Sequence, residues 1–319
     1  MKVAFHSRLL TERGSEGAML DYARLNRSVL GNESILCLPD WPEYAGNPLL
    51  QKWREEFPVI LYRNKNDFGA RLRREKVENI YLTKPGPDDG FLVPGLRNCV
   101  HAQFLCDEFH GDAYAYLSSW MSRVMTGRED SFVPIFVPQF VSEQNLRKKL
   151  GIPNQAKVFG RHGGADTFNI RFVREVVFHH AQKNPDDHFV FLNTEPIRGT
   201  ERFSNVHYLP VTVEPMEKAK FLATCDAMLH ARLHGETFGL AVGEFAVLGK
   251  PVITFGGSRE RAHLEMLAGH GRVYRTEQEL RDILETFEPC HVEGTEYETY
   301  ADNVAVMNIF QTRFLNRAG

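Results

Sequence analysis

Residues 226–255, DAMLHARLHGETFGLAVGEFAVLGKPVITF, read as strand, loop, helix, strand. The apolar run 226–231 suits a buried parallel strand, and 252–255 suits the next one. Between them a charged loop, 232–237, leads into a helix that begins near 238–240 and runs to about Leu248. Gly249 fits the position that closes a helix, Lys250 lies just past it, and Pro251 cannot continue it. The unit belongs to an α/β fold with open parallel sheets.

Within this stretch Glu236 and Glu244 are separated by seven residues. Glu236 falls at the mouth of the helix and Glu244 about a turn and a half inside it. The first amides of the helix, at Phe238, Gly239 and Leu240, precede any intrahelical partner and suit a phosphate. Gly239 carries no side chain to block a close approach. Glu244, on the same edge, is suited to accept two hydrogen bonds from a vicinal diol such as a ribose. Glu236 is placed to hold the hydroxyls of a sugar beyond the phosphates.

The segment Glu236-Thr-Phe-Gly-Leu-Ala-Val-Gly-Glu244, with Gly249-Lys-Pro-Val-Ile behind it, resembles the Glu-x7-Glu motif of retaining GT-B glycosyltransferases, especially glycosyltransferase family four. The resemblance implies two Rossmann-like domains facing across a cleft. It also implies a donor site that includes Glu236, Thr237, Phe238, Gly239, Leu240 and Glu244.

Composition agrees with that size and class. The chain has 319 residues, 43% hydrophobic and 25% charged, which suits two soluble globular domains. A formal net charge of −3 argues against general nucleic-acid binding. The five cysteines, Cys37, Cys99, Cys106, Cys225 and Cys290, are scattered and odd in number, with no CxxC. That favours reduced thiols in a cytoplasmic compartment and no zinc site. Residues 2–6 read as a first strand rather than a signal peptide, and no apolar run reaches membrane-spanning length. Peripheral membrane contact is left open.

Helical and extended stretches alternate through the N-terminal part: strands at 3–5, 35–38, 59–62, 80–83 and 99–105, helices at 17–30, 48–56 and 67–76. Ligands of such sheets sit beyond the carboxyl ends of the strands. The polar loop 7–16, with Gly14 near its end, therefore faces the ligand side. It resembles the glycine-containing loop that family-four enzymes place near donor phosphate and acceptor, but lacks their Gly-Gly pair. His101 lies on the strand that, by the resemblance, carries a histidine reaching the donor sugar; the alternative is a satisfied core histidine. His110-Gly-Asp112 is either a second sugar or acceptor contact or a turn before a buried element. The basic run Arg71, Arg73, Arg74 and Lys76 reads as a solvated helix face, with an anionic acceptor as the alternative.

Residues 132–141, FVPIFVPQFV, resemble the family's Val-Pro stretch before the interdomain crossing. A helix at 143–150, Gly151-Ile-Pro153 and a strand at 157–161 follow. By the resemblance Arg161 ends that strand and pairs with a diphosphate. The family's lysine a few residues later is missing, and His162-Gly163-Gly164 stands there instead. Either the glycine amides replace that lysine, or Arg171 does, or leaving-group stabilisation is weaker. Stretches 193–196 and 209–213, including Leu209 and Pro210, end strands where the family seats its nucleotide base. A last helix spans 297–314. The domains expected are 1–140 and 141–300, with 301–319 returning to the first.

The resemblance implies metal-independent transfer of a sugar from a nucleoside-diphosphate donor to a glycan or glycoconjugate hydroxyl, with retention. Catalytic contacts fall to His101, Arg161 and Glu236, with no cofactor, and no Asp-x-Asp metal motif stands out. A sugar-nucleotide epimerase or hydrolase on the same fold, or a non-catalytic nucleotide-sugar binder, are the other readings.

Overall fold

The structure, a computed structural model, describes the chain except residues 11–13, 213 and 317–319 and the side chain of Pro48. By its contacts the chain divides into two compact units, 1–136 with 302–319, and 137–301.

In the first unit six parallel strands form one sheet: β1 (Lys2–His6), β2 (Glu33–Pro39), β3 (Val59–Tyr62), β4 (Asn79–Lys84), β5 (Arg97–Ala102) and β6 (Ala113–Tyr116). Their order is β3-β2-β1-β4-β5-β6. The helices α1 (Gly14–Ser28), α2 (Pro48–Glu56) and α3 (Lys65–Arg74) are the crossovers, and α4 (Ser119–Thr126) follows β6. Side chains mark where these helices start: Asn47, Asn64 and Ser118 each accept an amide hydrogen bond of the first turn. On one face of the sheet Ala4, Ile35, Ile80, Leu82 and Val100 bury Phe68 and Leu72 of α3.

The second unit repeats the plan. Strands β7 (Val158–Arg161), β8 (His188–Leu192), β9 (Val206–Leu209), β10 (Ala227–His230), β12 (Val252–Phe255) and β14 (Arg272–Tyr274) are parallel, in the order β14-β12-β10-β7-β8-β9. Two short strands, β11 (Gly235–Glu236) and β13 (Glu260–Arg261), pair separately. Helices α5 (Arg147–Leu150), α6 (Arg171–Lys183), α7 (Pro215–Thr224), α8 (Leu240–Ala246), α9 (Ala262–Met266), α10 (Glu277–Glu285) and α11 (Tyr297–Tyr300) complete it. The core is aromatic, with Phe159, Phe189, Phe191, Tyr274 and Phe287 buried against Val173, Val176 and Val177 of α6. In both units the first strand lies centrally and the order reverses beside it, between β1 and β4 and between β7 and β10. That is the Rossmann arrangement, and its ligand position is the carboxyl end of those two strands.

Two expected helices differ. Residues 143–146 are not helical, because the Leu146 amide bonds the Thr224 hydroxyl at 2.8 Å and only α5 forms. The helix expected at 297–314 is broken after α11, where Asp302 caps a new helix, α12 (Asn303–Phe310), followed by a π-helical turn, Gln311–Leu315. Phe310 of α12 stacks on Tyr22 and Phe5, at 5.1 and 6.2 Å, which fastens this tail to the first unit. Among the described residues no helix is long and apolar enough to cross a membrane.

Candidate functional site

In the second unit, β7 ends on Arg161 and β10 on His230, the two strands beside the reversal. Arg161 is buried, 4% exposed. Its Nη1 donates to Asn193 O (3.1 Å) and Thr194 Oγ1 (2.5 Å), and its Nη2 to Gly164 O (2.7 Å) and Thr167 Oγ1 (2.5 Å). The Asn193 side chain holds the Gly163 carbonyl from the other side, at 2.9 Å. Arg161 is thus the clamp that shapes the 163–167 loop. Burial pulls its pKa down to about 10, against the pull of Glu236, so it remains charged at neutral pH.

Glu236 lies on β11, whose register sets it opposite Arg261. The ribbon needs a glycine before it: Gly235 has φ +82°, and a Cβ there would stand 1.9 Å from the Glu260 carbonyl. Glu236 Oε2 accepts from Arg232 Nη1 at 2.7 Å, and Oε1 from His230 Nε2 at 3.2 Å. Burial works against ionisation, but His230 and Arg232 outweigh it and hold the carboxyl below its ordinary range. Nearby Glu260 is pushed the other way, chiefly by burial.

Glu244, inside α8, is only 1% exposed. Lys218 Nζ of α7 donates to its Oε1 at 2.5 Å, and His162 Nε2 lies 2.9 Å from Oε2. The second contact is off the line a hydrogen bond requires, leaving both atoms buried without a hydrogen-bond partner. Burial opposes ionisation of Glu244; Lys218, the largest influence the other way, overcomes it, and its pKa is lowered. Burial also lowers His162 in spite of Glu244, so the ring is neutral and Lys218 is the counter-charge.

Helix α8, which starts between the two glutamates and contains Glu244, is seven residues long, and its first intrahelical bond runs from Gly243 N to Gly239 O at 2.9 Å. The amides of Phe238, Gly239 and Leu240 precede it, as the sequence indicates. Packing supplies a reason for Gly239 beyond the expected one. It has φ +85°, and a Cβ would meet Tyr297 Oη at 2.9 Å and His263 Cβ at 3.1 Å, so packing demands the glycine. Phe238 and Thr237 are buried, and the Phe238 carbonyl accepts the Tyr297 hydroxyl at 2.6 Å. Leu209 ends the edge strand β9 with its carbonyl bonded to Asn193 N at 3.0 Å, and Pro210 beyond it is exposed. Val213, the end of the expected base-side stretch, lies outside the described residues. Arg171, the other substitute considered for the missing lysine, is exposed and ion-paired with Glu175.

The first unit corrects one assignment. His101 is 0% exposed, its Nδ1 is 2.7 Å from the Tyr81 hydroxyl, and its Nε2 faces the carbonyls of Val133 (2.9 Å) and Tyr116 (3.2 Å). Burial lowers its pKa to about 4. With both nitrogens engaged it is a satisfied core histidine, with no atom left for a sugar. His110 is engaged as well: Nδ1 donates to Glu108 O at 2.7 Å, and Nε2 accepts from Lys84 Nζ at 3.2 Å. Asp112 accepts from Asn98 N at 2.7 Å, as a turn does. Gly14 is the exposed first residue of α1, and part of the loop before it, 11–13, lies outside the described residues.

No family model matches this sequence, and no curated protein matches it. Solved structures do. HepE from Anabaena, in complex with UDP-glucose, is similar with a TM-score of 0.66 at 16% identity, over 98% of this chain and 95% of that one. WaaG, a glycosyltransferase involved in lipopolysaccharide biosynthesis, gives 0.61 at 15% identity over 95% and 94%. UDP-GlcNAc 2-epimerase from Neisseria meningitidis, bound to UDP-GlcNAc, gives 0.62 at 13% over 98% and 99%. The fold is GT-B. At these identities the likeness is one of fold.

On this GT-B frame four residues join the candidate site that the motif does not contain. Lys218 and His162 meet Glu244, and Arg232 and His230 meet Glu236. His263, fully buried, has no hydrogen-bond partner on either ring nitrogen and lies 4.9 Å from the His230 ring. Lys218 carries no signal in the sequence, because its partner is 26 residues away.

Proposed function

We propose that this protein transfers a sugar from a nucleoside-diphosphate donor to a hydroxyl of a glycan or glycoconjugate, with retention and without a metal ion. The observation that supports this best is the pair Glu236 and Glu244, both ionised and both matched by cations, at the carboxyl end of β7 and β10. Glu236 orients the donor sugar. Glu244 takes the ribose diol once Lys218, 23% exposed and on a flexible stem, turns away. Arg161 contributes its charge to the leaving diphosphate and, through its four hydrogen bonds, presents Gly163 and Gly164. Charge fixed in advance at the leaving group lowers the barrier without reorganisation. The sugar–phosphate bond breaks as the acceptor oxygen attacks the same face, and the leaving phosphate takes the acceptor proton. No side chain is therefore assigned as general base, and His101 has no part.

HepE was solved with UDP-glucose, so uridine diphosphate sugars are the first donors to test. The likeness to a UDP-GlcNAc 2-epimerase supports a second reading, in which the sugar nucleotide itself is rearranged or hydrolysed. Incubation with labelled UDP-glucose and UDP-GlcNAc, with and without glycan acceptors, separates them: transfer requires acceptor, whereas hydrolysis and epimerisation do not. Turnover is expected to survive EDTA, and loss reversed by manganese would contradict a metal-free mechanism. Proton NMR of the first product from an α-linked donor is expected to show an α-linkage, and a β-linkage would overturn retention.

A further inference from the structure

A carboxylate on a two-residue strand needs holding if it is to face a sugar in one orientation. Two groups hold Glu236. Arg232 is long and partly exposed, whereas His230 is 6% exposed and fixed on every side. The His230 carbonyl accepts the Tyr274 hydroxyl at 2.9 Å, and its ring lies against His263. Its Nδ1 is 2.8 Å from the hydroxyl of Thr254, a fully buried residue of β12. That contact is set by strand register, since His230 and Thr254 are paired residues of the β10–β12 ladder.

The chain of hydrogen bonds has a direction. Glu236, ion-paired with Arg232, can only accept, so His230 Nε2 carries the hydrogen. On a ring with a single hydrogen Nδ1 is then a lone pair, and the Thr254 hydroxyl is placed to donate to it. Hydroxyl, imidazole and carboxylate form one relay from the sheet interior to the candidate site. We propose that His230, set in its Nε2–H tautomer by Thr254, is a positioning residue that fixes the Glu236 carboxylate toward the donor sugar. The inference rests on the reading of Glu236 as the sugar-orienting carboxylate.

Two measurements test it. Long-range proton–nitrogen NMR at pH 8 reads the tautomer: Nε2–H at His230 is expected, and Nδ1–H or a doubly protonated ring overturns the relay. Calorimetry with UDP and UDP-glucose then compares wild type with His230→Leu and His230→Gln. Leucine removes the N–H, while glutamine returns one near the position of Nε2. UDP affinity should stay constant, while the advantage of UDP-glucose over UDP should fall about tenfold in His230→Leu and be largely retained in His230→Gln. Unchanged discrimination in His230→Leu, or equal loss in both variants, overturns the proposal. If His230→Leu also loses UDP, Thr254→Val, which exchanges a hydroxyl for a methyl, takes its place with loss of discrimination expected and unchanged discrimination overturning. If neither probe binds the wild type, the donor reading fails by itself, and the NMR result still decides the relay.

Discussion

Lys218→Met should destabilise the second unit more than Glu244→Gln, although each removes the same ion pair. At 2.5 Å the gross attraction is roughly 7 kcal/mol in a medium of effective dielectric 20. Most of that offsets desolvation, and the two partners differ in what they can do alone. Without Lys218 the carboxylate, 1% exposed, is left beside a neutral imidazole with no counter-charge. Removing one partner of a buried pair in this way costs about 3–5 kcal/mol. Without the Glu244 charge, Lys218 turns its ammonium to solvent, and the loss is about 1 kcal/mol. The double variant leaves no buried charge and should recover roughly 2 kcal/mol of the single Lys218→Met loss. The pH dependence has a definite sign. In wild type the Glu244 pKa is lowered on folding, so the pair's contribution is present above the ordinary carboxylate value and lost as pH falls through the lowered one. In Lys218→Met burial acts with less opposition and raises that pKa. The deficit is then full at high pH and shrinks as pH falls through the raised value. Urea denaturation of the four proteins from pH 5 to 8 measures all of this. Equal stability of the two single variants at pH 8, or a difference that does not change with pH, refutes the argument.

Glu244→Gln should lower UDP affinity by roughly ten- to a hundredfold, the worth of a charged hydrogen bond to the ribose; unchanged affinity in calorimetry on folded variant would remove Glu244 from that role. Arg161→Ala should lower turnover and melting temperature together, because it loses the four bonds that shape the 163–167 loop as well as the charge. A drop in turnover at wild-type melting temperature would show that the clamp contributes nothing to stability. His101→Leu should cost about 1–3 kcal/mol in urea by leaving buried carbonyls and the Tyr81 hydroxyl unpaired, with UDP and UDP-glucose affinities unchanged. A selective loss of UDP-glucose binding would return His101 to the site.

The βα alternation was legible because parallel strands are buried on both faces and read as unbroken apolar runs. Val252–Phe255 falls where its run indicates, and so does Val59–Tyr62, although it is a half-buried edge strand. Helix ends were legible where a local signal fixes them, as with Gly249, which has positive φ. They were not legible where a distant group decides, as when the Thr224 hydroxyl takes the Leu146 amide and no helix forms before α5. The same division runs through the candidate site. Glu236 and Glu244 stand out because their spacing is local. His101 looked available because nothing in the strand sequence says that Val133, 32 residues on, turns a carbonyl to its ring. Lys218 and His162 are ordinary residues until α7 and β7 come to either side of Glu244.

The two carboxylates are held differently, and this bears on how a donor would enter. Glu236 is backed by His230, a short buried ring tied to Thr254 and Tyr274, so its orientation is set before any ligand arrives. Glu244 is matched by Lys218, whose ammonium sits at the end of a flexible, partly exposed stem that also lies over the Phe140 ring at 4.7 Å. On the proposed reading, the sugar end is therefore preorganised, and the nucleoside end must exchange a lysine for a diol. Giving up the charged partner takes back part of what the ribose hydrogen bonds contribute, so the nucleoside gains less there than an unpaired carboxylate would give it. The cost falls where substrate and transition state share the same interactions, on affinity, and leaves the sugar end free of reorganisation as the bond to phosphate breaks.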